Sequence, residues 1–93
     1  MIELTDWAVE VLARSADAAT RLNPDASLRL TVRNGALEPM LTDAFSEGDV
    51  EVRVGERVVF VASDVAGLVD VEAPHDRLVL KPPGAVPNER PDV

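Results

Sequence analysis

Cysteine and tyrosine are missing from these 93 residues, and histidine and lysine occur once each, at His75 and Lys81. Without a thiol the chain forms no disulfide, offers no thiolate to an iron–sulfur cluster and builds no Cys-type zinc site. No long apolar run is present either. The longest clean one covers residues 58–62, far short of the ~20 residues that span a bilayer as a helix. A Walker A glycine loop and a G-x-G-x-x-G turn are also lacking, so nucleotide phosphates find no cradle. Base is scarce as well: 17 acidic residues against 9 basic ones leave a net charge of −8. Such a surface repels nucleic acid unless a basic stripe is segregated on it. The acidity fits a basic partner or nucleic-acid mimicry, but plain solubility explains it more simply.

What is present reads as one small domain built around a hairpin. Val50, Val52 and Val54 alternate with Glu51 and Arg53, the period of a strand with one wet face. Gly55-Glu56 is a two-residue loop, and Val58-Val59-Phe60-Val61 is an apolar return arm. Val52, Val54, Val58 and Phe60 are expected to form the hairpin's contribution to the core. A hairpin alone is marginal in water, so other elements must cover its apolar face.

Upstream, Ile2-Glu3-Leu4 is an extended lead-in, and Thr5 is a good helix N-cap with Asp6 in the first turn. Ala8, Val11, Leu12, Ala16, Ala19 and Leu22 then fall at helical spacing, and Asn23-Pro24-Asp25 ends the helix. Trp7, the sole tryptophan, is expected to staple the first turn to the core. Leu28-Arg29-Leu30-Thr31-Val32-Arg33 alternates as a half-buried strand and meets a turn at Asn34-Gly35. In residues 37–45, Pro39 confines any strand to an edge. Downstream, Ser63 or Asp64 is expected to cap a helical turn at residues 65–69. An acidic loop over 70–77 and a brief strand at Leu78-Val79-Leu80 follow. Residues 1–81 are thus expected to form the domain, and 82–93, with prolines at 82, 83, 87 and 91, an extended or mobile tail. The acidic N-terminus lacks the base of a secretory signal, so a cytoplasmic location is expected.

Candidate sites are few. Asp70, Glu72, His75 and Asp76 could form a mixed nitrogen and oxygen site for zinc or iron(II). One imidazole with carboxylates is a poor ligand set, and the spacing matches no metal motif; a solvated loop without metal is the better reading. Ser63 lacks a G-x-S-x-G setting, and a capping role accounts for it. No catalytic residue or cofactor is expected, and an enzyme is not indicated. Arg29, Arg33, Arg53 and Arg57 could line up as a basic stripe, although cross-strand pairing with Glu51 and Glu56 is preferred.

The order of elements resembles the HesB/IscA-like family, the A-type carriers of iron–sulfur cluster biogenesis. The resemblance runs through Ile2-Glu3-Leu4-Thr5-Asp6-Trp7-Ala8, then Leu28-Arg29-Leu30-Thr31-Val32-Arg33-Asn34-Gly35, then Gly48-Asp49 before the hairpin. It continues in Leu68-Val69-Asp70 and in Leu78-Val79-Leu80-Lys81-Pro82-Pro83-Gly84-Ala85. It implies a β-rich α+β fold, a small HesB-like sandwich or sheet with one N-terminal helix packed on it. The family's chemistry sits on three cysteines. The first falls at about Ala36 here, and the Cys-Gly-Cys region reads Gly84-Ala85-Val86-Pro87-Asn88-Glu89. The resemblance therefore implies a cysteine-less relative that acts through protein contacts near iron–sulfur assembly, with a protein partner and a possible homodimer but no nucleic acid or membrane. The alternatives are an iron carrier using Asp, Glu and His75, and an acidic inhibitory or antitoxin-like partner.

Overall fold

A computed structural model describes residues 2–34, 36–43, 46–73 and 76–89. Along the chain run β1 (Ile2–Leu4), α1 (Asp6–Leu22), β2 (Ser27–Arg33), β3 (Ala36–Thr42), β4 (Val50–Val54), β5 (Arg57–Val61), β6 (Gly67–Glu72) and β7 (Arg77–Lys81). The fold is α+β and mostly sheet. The strands make two sheets, one ordered β3-β2-β5-β4 and the other β1-β6-β7.

The helix begins and ends where local chemistry requires. The Thr5 hydroxyl accepts from the Ala8 amide at 3.1 Å, satisfying one of the unpaired donors of the first turn. At the other end the Asn23 amide still donates to Ala19, and Pro24 stops the chain from continuing. Both sheets lie against this one helix. Leu12 and Ala16 pack on Leu28, Leu30, Val54, Val59 and Val61 of the four-stranded sheet. Trp7, Ala8 and Val11 pack on Val69 and Val71 of the three-stranded one, so Trp7 is the staple its position suggests. Leu37, Leu78 and Leu80 are half-buried and belong to both clusters, so the sheets also meet where β3 approaches β7.

The hairpin forms as expected, but its buried face is shifted by one residue on the return arm. The two-residue loop places Val54 opposite Arg57 and Val52 opposite Val59. Residues directly opposite share a face, so Val52 and Val54 point inward together with Val59 and Val61, not with Val58 and Phe60. Val58 is 39% exposed, whereas Val59 and Val61 are buried. Phe60 is half-buried on the outer face.

A second correction concerns residues 65–72. They do not form a helical turn and an acidic loop; Gly67–Glu72 is the central strand of the three-stranded sheet, parallel to β1 and antiparallel to β7. A central strand covered on both faces loses its alternation, and Gly67 and Asp70 disguise it further. Gly67 has φ +118°, and a Cβ there would collide with the Lys81 carbonyl oxygen. Asp70 and Glu72 are thus strand residues. Pro39 does lie on an edge strand, β3, as its missing amide demands. Asn34 has φ 54°, the left-handed conformation of a tight turn, although Gly35 lies outside the described residues, as does Phe45.

Two expected outcomes test this register. Val59→Ala should cost about 2 kcal/mol, while Val58→Ala on the opposite face stays within about 0.5 kcal/mol, as urea unfolding would measure. Equal costs would mean that the hairpin is out of register. Gly67→Ala should lose about 3 kcal/mol, because the left-handed backbone and the collision act together.

Candidate functional site

Two features could carry function, an internal polar knot and an open sheet face. The knot centres on Asp70, the buried charged side chain of β6. Its Oδ1 accepts from the Thr5 hydroxyl at 3.1 Å and from the Val71 amide at 2.8 Å. Its Oδ2 pairs with Lys81 Nζ at 3.0 Å and accepts the Asn88 backbone amide. Lys81 Nζ in turn donates to the Val86 carbonyl and to Asn88 Oδ1, and Asn88 Nδ2 donates to the Val71 carbonyl at 2.9 Å. The described segment after Lys81, residues 82–89, turns at Pro82, whose carbonyl accepts the Ala85 amide, and is tied down through Asn88.

Burial alone pushes the Asp70 carboxyl upward. The donors from Asn88, Val71, Lys81 and Thr5 outweigh it and hold the group below the ordinary carboxylate range. Both oxygens are committed to protein donors, so the knot is an anchor and offers no oxygen to a ligand.

The described metal candidates are dispersed accordingly. Asp70 is buried in the knot, Glu72 is exposed at the end of β6, and Asp76 pairs with Arg14 at 3.1 Å. His75 lies outside the described residues. No group of three or more potential ligands converges among the described residues. Ala36, which the resemblance sets at about the family's first cysteine, opens β3 and lines a shallow hollow of about 170 Å³ with Leu37 and residues 77–80 of β7. Its methyl group donates no electron pair, and thiolate ligation has no substitute there. These residues do not fit an iron–sulfur cluster.

The open face is the side of the four-stranded sheet turned away from α1. One row across all four strands reads Met40, Arg29, Phe60, Glu51. Thr31, Arg33, Glu38, Val58 and Arg53 extend it on either side by the same alternation. Met40 is 47% exposed. Arg29 does not project freely. It forms a two-point ion pair with Asp49, at 2.8 and 2.9 Å, and the Asp49 side chain is almost wholly covered. Asp49 also accepts the Ser46 amide, so the pair fixes the turn that launches β4. The hydrogen bond from Arg29 is the chief reason that the Asp49 carboxyl is held low and the guanidinium high.

The four arginines do not form a stripe. Arg57 lies on the helix side, where it pairs with Asp17 at 2.8 Å. The partners of Arg29 and Arg57 are Asp49 and Asp17, rather than Glu51 and Glu56. In the sequence Asp49 stands out only in the Gly48-Asp49 step before the hairpin, and its pairing with a residue 20 positions earlier carries no local signal.

The knot makes stability sensitive to acid. An unfolded aspartate titrates near ~3.9, and Asp70 and Asp49 both titrate lower when folded. In acid the unfolded chain therefore binds more protons. The stabilisation is complete above about pH 5 and disappears as pH falls through the folded values. Asp70→Asn should flatten that acid limb in melting curves between pH 7 and 3. Asp70→Ala should lose about 3 kcal/mol at neutral pH, because Lys81 is left without its carboxylate. An unchanged pH profile in Asp70→Asn would remove Asp70 from this role.

No helix among the described residues is long and apolar enough to cross a membrane. No protein-family model, curated protein or solved structure matches the chain.

Proposed function

We propose that this chain is a non-enzymatic protein-binding module on a HesB/IscA-like plan, lacking the cluster-binding cysteines and acting near iron–sulfur assembly through protein contacts. The observation that carries the reading is the open face of the four-stranded sheet. Met40, Phe60 and Val58 present apolar surface there amid Arg33, Arg53, Glu38 and Glu51. An apolar strip within a polar, charged border is the make-up of a protein contact surface. The Arg29–Asp49 pair stiffens the centre of that face, which lowers the ordering cost of binding. The link to iron–sulfur assembly is supported by the order of elements alone. Fold and function separate readily, and the cysteines that carried the chemistry are gone.

Met40→Glu should abolish capture of the partner by the immobilised protein, while thermal stability stays unchanged because Met40 lies on the surface. Components of iron–sulfur assembly should be among the proteins lost. Capture of the same set by both forms would overturn the proposed face, and a set without assembly components would overturn the proposed process. Anaerobic incubation with iron and sulfide should leave the protein colourless after desalting, since no group of three or more oxygen and nitrogen donors converges among the described residues. A stoichiometric charge-transfer band in the visible spectrum would contradict the reading.

A further inference from the structure

The two edges of the four-stranded sheet are unlike. β3 carries Pro39, which blunts an edge against further pairing. β4, the opposite edge, reads Val50-Glu51-Val52-Arg53-Val54, with no proline. It is also the strand whose sequence is its own complement. Laid antiparallel on a copy of itself about Val52, it sets Glu51 against Arg53 twice and valine against valine three times.

The backbone supports the same register. The Ala62 amide donates to the Leu30 carbonyl, so the even-numbered residues at this end of β5 face β2 and the odd ones face β4. Residues 57, 59 and 61 of β5 stand opposite 54, 52 and 50 of β4. Val50, Val52 and Val54 accordingly spend their amides and carbonyls on β5, and those of Glu51 and Arg53 point outward. In a pairing centred on Val52, Glu51 meets Arg53 of a second copy as a hydrogen-bonded pair, and Arg53 meets Glu51 likewise. All the outward groups of these two residues are then used. The charges are also available: neither Glu51 nor Arg53 makes an ion pair or side-chain hydrogen bond among the described residues. On the helix side, Val50 is 48% exposed and would gain cover from Val54 of the other copy.

We infer that β4 is a homodimer edge, on which a second copy of this chain adds antiparallel about Val52 to make one continuous eight-stranded sheet. The interface is isologous, as a two-fold axis through Val52 requires. It does not rest on the protein-binding role of the open face, because Met40 lies on β3, three strands away.

Charge reversal tests it on the full chain. Arg53→Glu sets carboxylate against carboxylate and Glu51→Arg sets guanidinium against guanidinium, so each variant should dimerise at least about tenfold more weakly by sedimentation equilibrium. Mixed together, the two variants should restore the dimer, because each supplies the sign that the other lacks. In the unmodified protein, the Glu51 and Arg53 amides should exchange with deuterium slowly at high concentration and faster on dilution, a readout that needs no variant. Met40→Glu should leave all of this intact. A protein that remains monomeric at about 1 mM, or a dimer that both reversals leave unweakened, would overturn the inference. Concentration-independent exchange at residues 51 and 53 would do the same.

Discussion

A carboxylate with no exposed surface is tolerable only when donors replace its lost water, and Asp70 meets that condition with four of them. The donors come from different parts of the chain. Thr5 caps α1, Val71 continues β6, Lys81 ends β7, and Asn88 belongs to the segment beyond the last strand. The carboxylate therefore fixes the start of the helix relative to β6, the end of β7 and the segment beyond it. The same Thr5 hydroxyl accepts from Ala8 and donates to Asp70, so helix initiation and sheet attachment are one event. The parallel pairing of Ile2–Leu4 with β6 and the bond from the Thr5 amide to the Val69 carbonyl complete the joint.

Once the helix start is fixed, the rest of the molecule has little freedom. The first turns of α1 bury Trp7, Ala8 and Val11 against β6, and the later turns present Leu12 and Ala16 to the four-stranded sheet. One helix thus serves two sheets, and it covers only one side of the larger one. A four-stranded sheet with a single roof must leave its other face to solvent or to a partner. The two ion pairs of that sheet divide along the same line. Arg57–Asp17 ties the hairpin to the helix on the covered side, and Arg29–Asp49 braces the uncovered one. Exposed pairs such as the first contribute little, about 1 kcal/mol at most. The second is two-pointed and nearly covered, so it does more to hold geometry.

Local signals explain what the sequence showed in advance. Thr5, the 3.6-residue spacing and Pro24 each act within a few residues, and they delimit α1 at its observed ends. The same holds for the alternation of β2, the edge position of Pro39 and the Gly55-Glu56 loop. The hairpin's buried face was legible too, but only by counting across the loop: a two-residue turn fixes parity, and parity selects Val59 over Phe60. β6 was not legible, because a glycine and an aspartate interrupt its apolar run, and both are explained by contacts with Lys81 far along the chain. Of the site, the arginines of β2 and β4 could be placed on a wet face by alternation. Asp49 as a partner of Arg29, and Asn88 as the anchor of the C-terminal segment, are tertiary facts without any local pattern.

Those tertiary contacts also order the segment beyond the last strand. The residues there are Gly84-Ala85-Val86-Pro87-Asn88-Glu89, and they are tied to the fold. Asn88 uses its backbone amide, its side-chain oxygen and its side-chain nitrogen on Asp70, Lys81 and Val71, and Val86 accepts from Lys81. Each bond turns the segment inward. A segment held this way is ordered by the fold itself. Proline at 87 supports the arrangement, since a residue with no amide leaves none to satisfy just before Asn88 docks. With the segment anchored on a buried carboxylate, this chain has the physical character of a closed scaffold, and its open surfaces are the uncovered face and the edge of the larger sheet.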